Sequence, residues 1–216
     1  HFQAGIKANS ARQCALYAGL PDTTPAFTPN KNCATAMKAM QCAAQSIQVG
    51  DNDLVIAGGC ETMSAIPYIV PKARWGYRMG PGRLEDSMLY DGLVDPFKNY
   101  HMGITAENVA KKCGITREMQ DELALHSQRK AAAAIESGAF TAEIVPVNVV
   151  TRKKTFVFSQ DEFPKADSTT EALGALRPAF DKAGTVTAGN ASGINDGAAA
   201  LVIMEESAAL AAGLTP

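Results

Sequence analysis

The stretch from Thr28 to Ser64, TPNKNCATAMKAMQCAAQSIQVGDNDLVIAGGCETMS, decides the fold. From Cys33 onward, Met37, Met40, Ala44 and Ile47 recur at helical spacing, and Gly50 with Asp51 supplies a stop and a turn. Leu54 to Gly59 (LVIAGG) is then a short, continuous apolar run of the kind found in strands covered on both faces. The order is helix, turn, buried strand. Cys33 stands outside the apolar repeat, between an Asn-rich turn (Asn30, Asn32) and the first helical residues. A helix start is where unpaired backbone N–H groups gather and where the helix dipole favours an anion. A cysteine there is placed for nucleophilic chemistry, with amides on hand for an oxygen that becomes negative.

Working outward, residues 65–100 turn rich in Pro, Gly, Arg and Tyr and read as a long surface excursion of functional or interface type. Ile115 to Phe140 predicts a helix capped by Thr116, with acids Glu118, Asp121 and Glu122 early, Arg129 and Lys130 later, and Gly138 past its end. The runs Ile144–Val150 and Thr155–Phe158 predict a strand pair, with Pro146 limiting one strand to an edge. A glycine-rich loop from Gly184 feeds a final apolar strand, Ala198 to Met204. Buried strands flanking a polar, irregular middle predict a layered α/β core carrying an insertion. The expected division is core at 1–63 and 185–216, with an inserted domain at 64–184.

The 216 residues are 46% apolar with 18 glycines and 11 prolines, the composition of an ordinary globular chain. A net charge of −2 offers no general attraction to nucleic acid or to an anionic membrane. No run of about 18 apolar residues is present, and the first residues lack a secretory pattern, so the chain reads as cytoplasmic. Its five cysteines have no CxxC spacing, which argues against a disulfide framework or zinc, and no metal site is expected. By residue type alone, a cysteine packs as a small hydrophobe; Cys14, Cys42 and Cys113, inside predicted helices, take that reading, and Cys60 leans towards it.

NKNCATAMKAM followed by IAGGCETMS resembles the acyl-enzyme cysteine region of thiolases, the CoA-dependent acetyl and acyl transferases. YHMGITAENVAKKCGITREMQDELALHSQRKAAAAI and RPAFDKAGTVTAGNASGINDGAAALVIM extend the resemblance, in order, over nearly the whole chain. It implies a thiolase-type α/β/α core with an inserted α+β loop domain, Cys33 as the S-acylated nucleophile, and a pantetheine and adenine pocket at Leu93, His101, Met102, Phe180, Ala188 and Ser192. Lys165 stands where the family often has arginine beside the adenine. The HMG run resembles the short-chain, acetoacetyl-CoA-forming members. The implied activity is reversible condensation of two acetyl-CoA, with an acyl-CoA thioester as substrate, no tightly bound cofactor, and assembly into a homodimer or homotetramer.

Two further differences from the family stand out. The family's Ala-Ser-Gly or Gly-Ser-Gly after the cysteine is here Ala34-Thr35-Ala36. Its second-half GHP and CxGGG motifs, which carry the catalytic histidine and second cysteine, do not occur in these residues, so the chain reads as the N-terminal part of a longer protein that is inactive alone. His126, mid-helix, and His1, terminal, are no substitutes. Other readings are a thiolase of longer chain range, and a CoA-binding or oligomerisation module whose loop Pro71–Arg83 exposes Trp75, Tyr77 and Arg78. A ketoacyl synthase type of condensing enzyme shares the cysteine at a helix start but not the GNASGINDGAA and HMGITAENVA runs.

Overall fold

The computed structural model describes residues 2–216; His1 lies outside the described residues. In chain order the elements are α1 (Ser10–Tyr17), α2 (Thr35–Gln48), β1 (Leu54–Glu61), β2 (Tyr68–Ile69), β3 (Glu85–Asp86), α3 (Met102–Cys113), α4 (Arg117–Glu136), β4 (Val147–Val150), β5 (Thr155–Phe158), α5 (Thr170–Gly174), β6 (Gly197–Met204) and α6 (Glu206–Ala211). They fall into two compact units: one runs to Val94 and resumes at Ile194–Pro216, the other is Asp95–Gly193.

The first unit is built on the predicted helix and strand. α2 ends where Gly50 takes a left-handed φ of 78°, and the chain returns as β1. β1 pairs antiparallel with β6 over its whole length, from Leu54 opposite Met204 to Glu61 opposite Gly197. α2 packs on this ladder through small side chains: Ala43 and Ala57 are buried, and a Cβ added at Gly59 would come within 3.2 Å of the Ala36 methyl. Small residues at this contact let helix and ladder approach closely, forming one helix layer on one strand layer.

The expectation that the LVIAGG strand is covered on both faces is corrected here. Successive strand residues point to opposite faces, and among the described residues α2 covers only one, leaving Leu54, Ile56 and Val202 exposed on the other. Cys14 and Cys113 are likewise exposed rather than packed, while Cys42 is half-buried. The reasons are local: α1 buries no residue, and Cys113 is the last residue of α3.

Of the excursion expected at 65–100, residues 65–94 belong to the first unit and 95–100 to the second. β2 and β3 pair antiparallel, and the buried Ser87 donates to the Pro67 carbonyl at 2.7 Å. Trp75, between them, is 90% exposed. Where β1 leads out and β6 begins, the Ser64 amide and hydroxyl both donate to the Asp196 carboxylate, the amide at 3.0 Å.

In the second unit, Thr116 caps α4 as predicted, accepting from the Met119 amide at 3.3 Å, and Gly138 follows the helix with a φ of 70°. Asp121, one of the early acids of α4, is buried and bound by Arg117 Nε at 2.7 Å. Arg117 also donates to the carbonyls of Leu173 and Leu176, which joins α4 to α5. β4 and β5 form the predicted hairpin, closed by the Thr151 amide donating to the Lys154 carbonyl at 2.9 Å. No helix of the described residues is long and apolar enough to cross a membrane.

The Ser64 hydroxyl first, and then its amide, holds the Asp196 carboxyl below the usual range. A carboxyl whose pKa is depressed by folding keeps its bonds above the ordinary value and loses them as pH falls through the lowered one. In an amide NMR titration, the Ser64 signal is therefore expected to stay constant on acidification past about pH 4, the ordinary aspartate value, and to move only below it. An inflection at or above that value would contradict the bond.

Candidate functional site

Cys33 sits two residues ahead of the first residue of α2 and is exposed. A tight turn carries it. Asn32 adopts a left-handed φ of 50°, which asparagine tolerates better than most residues. The amides of Ala34 and Thr35 donate to the carbonyls of Lys31 and Asn32, each at 3.1 Å. The Asn32 amide donates to Asn30 Oδ1 at 3.0 Å. Thr35 Oγ1 donates to the Asn32 carbonyl at 2.6 Å and accepts from the Lys31 amide at 2.9 Å. Among the described residues no side chain caps α2. The Thr35 amide is taken by Asn32, but no capping side chain takes up the next amides of the turn, those of Ala36 and Met37, and that leaves them able to meet a developing oxyanion.

The neighbouring thiols differ in setting. Cys42 lies within α2 and is half-buried. Although Cys60 is exposed as a residue, the atoms around its sulfur exclude water and push its thiol up, with Cys14 and Glu61 adding to the shift. A raised thiol holds less of the nucleophilic thiolate at neutral pH, so Cys60 is the poorer nucleophile for a physical reason.

Leu93, the last residue of a π-helical turn in the first unit, is half-buried. The other candidate substrate contacts lie in the second unit. His101 is the N-cap of α3: its Nδ1 accepts from the Gly103 amide at 3.0 Å. That bond assigns the ring proton of the neutral imidazole to Nε2. The ring stacks on Phe180 with centroids 4.7 Å apart and planes 24° off parallel. Gly103 makes this possible, because a Cβ there would lie 2.2 Å from the Phe180 ring. Met102 follows directly and is partly exposed, so His101, Met102 and Phe180 share one patch at the head of α3.

Phe180 is carried by a short β-like turn in which the Ala179 amide donates to the Val186 carbonyl at 2.9 Å. The far side of that turn is anchored by Glu107, one helical stretch beyond His101, whose carboxylate accepts from the amides of Thr185 and Val186 at 2.9 and 2.8 Å. Asn190 Oδ1 accepts from the Thr187 amide at 2.7 Å, and its Nδ2 donates to the buried Asp121 at 2.9 Å. Ala188 and Ser192 are both exposed, on and just past the turn this asparagine holds. Lys165 is exposed, its backbone amide donating to Gln128 of α4 at 2.8 Å. His126 is exposed on α4.

Sequence reasoning missed Glu107, Asp121 and Asn190 as supports of the Phe180 turn, and missed Thr35 as more than a difference in residue type. The available signal for Glu107 was its place in the HMGITAEN run, within the helix that His101 caps.

A family model described as the thiolase N-terminal domain matches residues 2–207. The chain is 73% identical over 216 residues to the acetyl-CoA acetyltransferase of Escherichia coli (strain K12), covering 100% of this chain and 55% of that protein. It is 55% identical over 214 residues to the acetyl-CoA acetyltransferase of Cupriavidus necator, covering 99% and 54%. Among solved structures, the Bacillus anthracis acetyl-CoA acetyltransferase matches with a TM-score of 0.92 at 48% identity, over 99% of this chain and 54% of that one. The chain thus spans about half the length of the curated relatives it matches.

The His101 patch makes a prediction that separates cap from stack. His101→Ala removes both, for an expected loss of about 1–2 kcal/mol in urea unfolding. His101→Asn, which keeps a capping acceptor, is expected to recover roughly half of that. Equal losses for the two variants would show that the cap contributes nothing.

Proposed function

The chain belongs to the thiolase family, through that family's N-terminal domain, and from that premise we propose that it provides the nucleophile half of an acetyl-CoA C-acetyltransferase. The observation that carries this reading is Cys33, exposed at the head of an uncapped helix, within a chain that is 73% identical from end to end to an enzyme of that name.

In the proposed reaction the Cys33 thiolate attacks the acetyl-CoA carbonyl. The bond from the carbonyl carbon to the CoA sulfur breaks, CoA leaves as its thiolate and takes up a proton, and the acetyl group stays on Sγ. A second acetyl-CoA gives up an α-proton to a base, and its enolate attacks S-acetyl-Cys33. Acetoacetyl-CoA forms and the cysteine is released; each step runs in both directions. Amides at the start of α2 are suited to hold the oxyanion. The GHP and CxGGG segments that carry the family's bases are not among these 216 residues, so no proton transfer is assigned to a side chain of this chain.

His101, Met102 and Phe180 suit the arm of a CoA thioester, because an apolar stacked surface packs its methylenes while the Nε2–H of His101 donates to a carbonyl. Ala188 and the Ser192 hydroxyl extend the same reading, Lys165 suits a phosphate-bearing nucleotide end, and Leu93 is proposed as a contact on the family resemblance alone. Subunit contact is assigned to the excursion around Trp75 and Tyr77, giving a homodimer or homotetramer in the cytoplasm. The exposure of Trp75 also favours the second reading, a CoA-binding or assembly module without turnover by these residues alone.

Incubation with labelled acetyl-CoA followed by peptide mapping tests the proposal. One acetyl group is expected on the peptide containing Cys33, and none anywhere in the Cys33→Ser variant. Acetyl retained on another residue of that variant, or no acetyl on the unsubstituted protein, would overturn it.

A further inference from the structure

We infer that Thr35 is a positioning residue for Cys33, its hydroxyl clamping the turn that presents the sulfur. The inference rests on Cys33 being the reacting group. Lys31 and Asn32 precede the cysteine, Ala34 and Thr35 follow it, and one oxygen closes the ring: Thr35 Oγ1 receives the Lys31 amide at 2.9 Å and donates to the Asn32 carbonyl at 2.6 Å. The Asn32 carbonyl thus accepts from both the amide and the hydroxyl of Thr35. That doubled bond holds Asn32 in its left-handed conformation, at a φ of 50° where a backbone does not rest without support.

A second contact fixes the clamp to the fold. Ala36, the next residue, sets its methyl against the open space at Gly59 of β1, within 3.2 Å of where a Cβ would stand there. This contact seats the helix start on the ladder, and Thr35, half-buried at that start, ties the turn ahead of it to that seat. Cys33 itself forms no part of the hydrogen-bonded ring through its side chain. The ring constrains its backbone, and the residue remains exposed. Reactive groups lose rate steeply with small misplacement, so a relaxed turn slows the chemistry even though the sulfur remains.

The threonine methyl takes part in neither bond. The hydroxyl makes both bonds, so serine preserves the clamp, whereas valine preserves the shape and removes it. This separates a positioning role from mere packing.

The test compares Thr35→Val and Thr35→Ser with the unsubstituted protein, after circular dichroism shows that each is folded; Thr35→Ala serves in place of valine if that variant fails to fold. Two readouts are taken: hydrogen exchange at the Lys31 amide, and the rate at which iodoacetamide alkylates Cys33, resolved by peptide mass. The hydroxyl-less variant is expected to exchange the Lys31 amide at least about tenfold faster and to alkylate Cys33 about tenfold more slowly. Thr35→Ser is expected within about twofold of the unsubstituted protein on both. An unchanged value for either readout in the hydroxyl-less variant, or failure of serine to restore it, overturns the inference. Neither readout needs acetyl transfer, so a protein that takes no acetyl from acetyl-CoA would refute the proposed function while this test still decides the role of Thr35.

Discussion

The close seating of α2 on the β1–β6 ladder is the constraint on which the rest depends. Gly59 leaves room for the Ala36 methyl, and the buried Ala43 and Ala57 continue that contact with small side chains. Small residues at a helix–sheet contact trade apolar area for proximity. The result is a helix whose first turn is fixed against a strand rather than left to fray. Everything at its head, including the left-handed Asn32 and the exposed Cys33, inherits a defined place from that contact.

The second unit solves a comparable problem with polar groups. An aromatic ring, Phe180, has to lie flat on the head of α3 while remaining partly exposed, so the turn that carries it is held from behind. Glu107 accepts two consecutive backbone amides, and Asn190 joins the next turn to the buried Asp121, which Arg117 neutralises. A buried carboxylate with an ion-pair partner and a further donor avoids the cost of an uncompensated charge. In both units the surface proposed for a ligand lies over polar or small residues that have their partners.

Much of this was legible in the residues. The periodicity from Met37 to Ile47, the Gly50 stop, the LVIAGG run, the Thr116 cap and the paired strands around Thr151 each placed an element, because each rests on a local rule of backbone or side-chain geometry. The coverage of β1 was not legible: an apolar run states what a strand could bury, whereas what covers it depends on which other elements arrive. Nor was the pairing of Asp121. An acid early in a helix looks the same in sequence whether it faces water or Arg117. The exposure of Cys14 and Cys113 was hidden for a like reason, since a helical position does not say which face is packed. The position of Cys33 at the head of α2 was legible because it breaks the pattern around it, and Thr35 was visible only as an unusual neighbour whose two hydrogen bonds required coordinates.

The account ranks one sulfur above four others on grounds of position. Competitive alkylation with a limiting amount of iodoacetamide, resolved cysteine by cysteine, measures that ranking directly. Cys33 is expected to be modified first, with Cys60, whose thiol is pushed up by burial and by the neighbouring Cys14 and Glu61, well behind it. Modification of Cys14, Cys42, Cys60 or Cys113 ahead of Cys33 would contradict the claim that the head of α2 is the reactive centre of this protein.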